Sequence, residues 1–155
     1  MHFLSTWEHS IDAKHRLQLP AEVRELAEAD EHGTKWVAGP GPHGLLKLWP
    51  QRTFDKMLDP YSKDPLANPA IDAWRTMMYR RSAWLEIDSA GRVRLPERLL
   101  RDFGLTSEVV ILGAGDGLEI MDAGRYREQE AFSADQAQAT WQAARSARPP
   151  GVGMN

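Results

Sequence analysis

Two five-residue stretches carry the chemistry that the rest of the chain must position. "HSIDAKHRLQLP" (9–20) and "LEIDSAGRVRLP" (85–96) both hold Asp-x-x-x-Arg, as Asp12 with Arg16 and Asp88 with Arg92, followed by Leu-Pro. An Asp at the end of a strand accepts backbone N–H groups of the turn that follows. An Arg at the start of the next strand offers a planar fork of donors suited to carboxylate, phosphate or guanine. Asp12 and Asp88, with Gly91 and Arg92, are therefore read as turn-shaping. The copies differ inside the turn, where Lys14-His15 stands in the first and Ala90-Gly91 in the second. If that position needs a positive φ, His15 costs on the order of 1–2 kcal/mol relative to a relaxed residue.

Other chemistry finds no support. "GPGPHG" (39–44) matches the dinucleotide fingerprint GxGxxG in letters. That fingerprint works only where a helix opens at the turn and its free N–H groups meet pyrophosphate. Here prolines fill two positions and a strand-like segment follows, so a hairpin turn is expected. The five histidines (2, 9, 15, 32, 43) form no HxxxH pair, and without cysteine there is no thiolate site. No serine elbow or paired carboxylates suggest acid–base or nucleophilic work. The reading is of a protein that is not an enzyme and takes no metal or cofactor.

The elements around the turns repeat as well. Leu85, Ile87, Val93 and Leu95 alternate with Glu86, Asp88, Arg92 and Arg94, the two-residue period of a half-buried strand. After each Leu-Pro comes a helical stretch, 21–29 or 97–104, with proline suited to its first turn. Apolar strands follow at 35–39 and 45–50, or 108–113 and 118–122. Helical segments close each unit, with Phe54 and Tyr126 in equivalent places. The offset is 76 from Asp12 to Asp88 but 72 from Leu46 to Leu118, so the first copy carries extra residues, placed in the 29–35 loop. A Pro- and Asp-rich linker (59–70) leads to an amphipathic helix over 71–84. Ser133 and Gln136 form a capping box for a helix over 133–147, and 148–155 are expected to be disordered. The fold class is mostly β with α (α+β).

Composition limits the partners. The 155 residues are 42% apolar and 26% charged, with net charge −3. No apolar run approaches the roughly 18 residues of a membrane span, and the start lacks a signal-peptide pattern, so the expected place is the cytoplasm with no membrane partner. Between Arg75 and Arg101, however, seven arginines face three acids. Charge placement governs anion binding more than the sum.

The stretch "IDSAGRVRLPERLLRDFGL" (87–105) resembles the core motif of the AbrB/SpoVT superfamily. Two such copies, the first headed by "WEHSIDAKHRLQLP" (7–20), resemble the MraZ family over roughly residues 3–130. The resemblance implies a tandem swapped-hairpin β-barrel formed by both repeats of one chain, with closing helices. Its expected bounds are 5–52 for the first repeat, 53–81 for a helical linker, 82–125 for the second repeat, and 126–155 for a C-terminal helix and tail. It implies a nucleoid-associated transcriptional repressor of the division and cell-wall gene cluster. Such a protein binds direct repeats of a short G-rich box in double-stranded DNA as a ring-shaped homo-oligomer. Carried over by position, Lys14 and Arg16 fall on DNA-contacting sites, with His15 between them as a further donor. Arg80, Arg81 and Arg94 are accessory cations. Three departures stand out: Phe3-Leu4-Ser5 where the family has Phe-Arg-Gly, Lys14-His15-Arg16 where it has Lys-Gly-Arg, and the bulky "MMYRRSAW" (77–84) before the second copy. They motivate an alternative, a ring-forming interaction scaffold of the same fold with weakened or lost specific DNA binding.

Overall fold

Single-sided strands too short to stand alone decide the architecture, because each must find a partner in the other copy. The computed structural model describes residues 2–29, 35–61, 68–129 and 131–153. In chain order the strands are β1 (Thr6–Ser10), β2 (Arg16–Gln18), β3 (Lys35–Pro40), β4 (Leu46–Pro50), β5 (Ala83–Glu86), β6 (Arg92–Arg94), β7 (Glu108–Gly113) and β8 (Leu118–Asp122). The helices are α1 (Ala21–Ala29), α2 (Gln51–Leu58), α3 (Pro69–Arg81), α4 (Glu97–Asp102), α5 (Ala123–Arg127) and α6 (Ala134–Ala147).

Six strands form one antiparallel sheet in the order β1-β7-β8-β4-β3-β5. β1 of the first half pairs with β7 of the second, and β5 of the second pairs with β3 of the first. At the centre β4 lies against β8. The remaining pair, β2 and β6, makes a separate ribbon in the register Arg16↔Arg94, Leu17↔Val93, Gln18↔Arg92. The fold is α+β, as expected, with its hairpins exchanged between the two halves. Hydrogen bonds do not close a barrel among the described residues. β1 and β5 each pair on one side only, and the ribbon packs along them to cover the opening.

The core lies between ribbon and sheet. Leu17, Leu19, Val93 and Leu95 meet Trp36, Leu46, Leu48, Val109, Ile111, Leu118 and Ile120, all fully buried. Phe3 closes one end, its ring 5.6 Å from Trp36. On the other face of the sheet Trp49, Leu58 and Met78 form a second cluster with Phe54, Met57 and Trp74. Lys47 and Glu119, opposite each other in β4 and β8, are buried but paired, Lys47 with Asp116 at 2.6 Å and Glu119 with His43 at 2.8 Å.

Several expectations shift in detail. The prolines sit at the cap just before each helix rather than inside its first turn, with Pro96 at φ −58°, ψ 138°. Their carbonyls take the first helical bonds, Pro20 from Val23 and Arg24, Pro96 from Leu99 and Leu100. The helix expected over 71–84 ends at Arg81, because Ala83 and Trp84 are drawn into β5 opposite Ala38 and Val37. Arg98 stabilises that stop by donating to the carbonyls of Arg80, Arg81 and Ser82. "GPGPHG" is a hairpin turn between β3 and β4, with Gly41 N–H bonded to the Leu45 carbonyl. Ser133 caps α6 through Gln136 N–H. The extra residues placed in the 29–35 loop and half of the linker fall at 30–34 and 62–67, outside the described residues. No helix among the described residues is long and apolar enough to cross a membrane.

Candidate nucleic-acid interface

Both Asp-x-x-x-Arg turns are tight hairpin corners built the same way. Asp12 N–H donates to the Arg16 carbonyl (3.0 Å) and His15 N–H to the Asp12 carbonyl (2.9 Å); Asp88, Arg92 and Gly91 repeat this at 2.9 and 2.9 Å. The pattern is a type I turn followed by one left-handed residue. His15 fills that residue at φ 62° and Gly91 at φ 82°. Only a residue without Cβ adopts such a φ at no steric cost, so the first copy holds strain that the second lacks.

The aspartates lock both corners. One oxygen of Asp12 accepts from Lys14 N–H and Arg16 N–H, both at 2.9 Å, and the other from Arg16 Nε at 2.7 Å. Asp88 does the same with Ala90 N–H (2.9 Å), Arg92 N–H (3.0 Å) and Arg92 Nε (3.0 Å). Both carboxyls are held below their ordinary value. The largest cause is the N–H of Arg16 or Arg92; desolvation works against it, and the guanidinium and the second N–H add to the lowering. Each aspartate thus gathers three donors of its own turn.

Locking through Nε fixes each arginine's direction but leaves its two terminal nitrogens without a bond to any described residue. Because Leu17 and Val93 take the inner face of the ribbon, Arg16, Gln18, Arg92 and Arg94 share the outer one. Arg16 stands directly opposite Arg94, and like charges so placed repel. Lys14 is exposed beside them. The outer face of the ribbon thus carries Arg16, Arg92 and Arg94, with the exposed Lys14 in the adjoining turn.

The other named residues lie differently. His15 is half-buried and lines a shallow cleft with Ile11, Leu100 and Leu105. Arg80 and Arg81 are exposed at the end of α3, beside α4, with Arg81 3.9 Å from Asp102. The seven-arginine run is thus dispersed: Arg75 bonds Asp72 and the Tyr61 carbonyl, Arg92 bonds Asp88, and Arg98 caps α3. Leu4 is exposed, but at the far end of β1 from the turn.

Three participants were not read from the sequence. Gln18 reaches across the ribbon to the carbonyls of Ala90 (2.9 Å) and Gly91 (3.2 Å). Ser5 has φ 84°, so both non-glycine residues at positive φ among the described residues stand where the resembled family has glycine. That coincidence was available in Phe3-Leu4-Ser5. Arg24 lies over Gly91: a Cβ there would come within 2.6–2.7 Å of its Nη1, Nε and Cζ. No local spacing signals a contact between residues so far apart in the chain.

The chain is similar in sequence to known proteins over most of its length. A family model described as "MraZ protein, putative antitoxin-like" matches residues 78–147. A protein from Phenylobacterium zucineum called "Transcriptional regulator MraZ" is 35% identical over 136 residues, covering 87% of this chain and 80% of that one. One of the same name from Saccharopolyspora erythraea is 31% identical over 125 residues, 81% and 84% of the two chains. Another, from Mycoplasmoides gallisepticum, is 28% identical over 126 residues, 81% and 85%.

Proposed function

This chain belongs to the MraZ family, and from that membership we propose that it is a DNA-binding transcriptional regulator whose contact surface is the outer face of the β2–β6 ribbon and its first turn. The observation that carries the reading is Arg16, aimed outward by Asp12 through Nε at 2.7 Å and set opposite Arg94. A guanidinium with its end nitrogens free can meet guanine O6 and N7 bidentately, worth about 1–3 kcal/mol of discrimination. Lys14, a flexible point charge, holds phosphate and sets the salt dependence. His15 supplies one more donor at the same corner. Arg94 joins this face, and Arg80 and Arg81 are accessory cations.

The finer reading follows the family resemblance. The chain represses the division and cell-wall gene cluster and recognises direct repeats of a short G-rich box. It assembles as a ring, nucleoid-associated in the cytoplasm, with its repeats at 5–52 and 82–125. A ring meeting several boxes converts later contacts into intramolecular ones, so a small cation cluster suffices despite a net charge of −3.

The test is a mobility shift on the DNA upstream of this gene against a shuffled sequence of the same composition. Wild type should prefer the upstream DNA, and Arg16→Ala should remove the preference. Equal binding of both proteins to both DNAs contradicts the assignment.

A scaffold without specific DNA reading is supported by one observation, the exposed aromatic Trp84 (83%) on edge strand β5, near Tyr79. Defined oligomers in light scattering, a protein partner that co-purifies, and no preference for upstream DNA would favour it.

A further inference from the structure

We propose that Arg24 is a further DNA-backbone contact, supplied by α1 to the second turn, so that each chain grips DNA at both ends of the ribbon. The inference rests on the ribbon reading above and adds a residue and a second contact point to it.

The two turns match in backbone but not in charge. At the first, Lys14 and Arg16 are joined by Arg94 from the opposite strand, against Asp12. At the second, the position of Lys14 is Ala90 and the position of Arg94 is Gln18, leaving Arg92 alone against Asp88. Arg24 restores the missing cation from another element. A Cβ on Gly91 would lie 2.6 Å from its Nη1 and 2.7 Å from both Cζ and Nε, so the guanidinium lies face-on over the turn. Glycine at 91 is what makes room for it. The matching residue of α4 is Leu100, which lines a cleft with His15 at the first turn. The fourth residue after Pro20, Arg24, thus lies over the bare backbone of Gly91, while the fourth after Pro96, Leu100, shares a cleft with His15.

Packing alone does not account for an arginine here. Its Nε is covered and has no hydrogen-bond partner, and none of the ion pairs among the described residues involves it. The side chain as a whole is only half-buried, so a phosphate arriving at the turn can meet a guanidinium that no described carboxylate neutralises. The spacing also suits a duplex. From His15 to Leu19, which bonds Gly91 across the ribbon, is four residues of extended chain, about 13 Å. The major groove is about 12 Å wide and admits a two-stranded ribbon. Lys14 and Arg24 then reach the two phosphate walls while Arg16, Arg92 and Arg94 face the groove between them.

The experiment is a binding titration of full-length wild type, Arg24→Gln and Arg24→Lys on the upstream DNA and on shuffled DNA, across salt concentrations, with thermal melts of each protein. Arg24→Gln keeps the stem and removes the charge. It should weaken binding about three- to tenfold on both DNAs and reduce the salt slope by about one per chain, while leaving the preference for upstream DNA intact. Its melting temperature should equal or exceed that of wild type, and Arg24→Lys should recover most of the slope. Unchanged affinity and slope for Arg24→Gln, in a wild type that binds, overturns the Arg24 contact alone. A loss of binding that tracks a lower melting temperature in both variants also overturns it. Absence of DNA preference in wild type overturns the ribbon reading and this contact with it.

Discussion

His15 and Gly91 occupy the same left-handed corner, at φ 62° and φ 82°, in turns whose aspartate and arginine bonds match one for one. What differs is the surroundings of each corner: His15 lines a cleft with Leu100, and Arg24 lies over Gly91. The duplicated hairpin is therefore symmetric in backbone and asymmetric in chemistry. Strain sits in one turn, and a packed cation in the other.

His15→Gly should stabilise the fold by about 0.5–1 kcal/mol, the relief of a left-handed Cβ less the entropy glycine adds to the unfolded chain. Ser5→Gly should act in the same direction, because Ser5 is at φ 84°. Urea denaturation checks both: higher midpoints with unchanged slopes are expected, and lower midpoints would contradict the strain.

Acid should loosen both turns. The folded carboxyls of Asp12 and Asp88 lie below the ordinary 3.8, so their contribution is complete above that value and is lost as pH falls through the lowered folded values. Urea midpoints followed from pH 6 to pH 2 should decline below about pH 4 in wild type. The double variant Asp12→Asn, Asp88→Asn should start lower and decline less steeply. Parallel declines would mean that other carboxylates carry the acid sensitivity.

Gly113→Ala should destabilise by about 1–3 kcal/mol. A Cβ there would meet the backbone of Leu4 at 2.6–2.7 Å and the Phe3 carbonyl oxygen at 2.7 Å, and backbone cannot rotate away. Because Phe3 packs on Trp36, the near-ultraviolet circular dichroism of the native protein should change too. A variant with wild-type melting and spectrum would show that the 3–5 segment is not held as described.

The strands and helices were legible because their apolar residues repeat at the period of the element they form. Leu17, Leu19, Val93 and Leu95 alternate, and all are fully buried. Asp12 and Asp88 were readable as turn-makers, since an aspartate's reach to the next N–H groups is local. The end of α3 was not: Trp84 could extend a helix by spacing, but pairing of β5 with β3 outweighs that preference. The fate of the arginine run was not legible for the same reason. Proximity in sequence says nothing about Arg98 folding back to cap α3 or Arg75 turning to Asp72. Gln18 and Arg24 act across the two halves, a relation fixed by the exchanged pairing rather than by either local stretch.

The central claim, that Arg16 reads bases while Lys14 holds phosphate, is tested most directly by one measurement. Affinities of wild type, Arg16→Ala and Lys14→Ala are determined on the upstream DNA and on shuffled DNA over a range of salt. Arg16→Ala should lose about 1–3 kcal/mol on the upstream DNA and much less on the shuffled one. Lys14→Ala should weaken both alike and lower the salt slope by about one. Equal losses on the two DNAs for both variants, or no loss for either, would contradict the account.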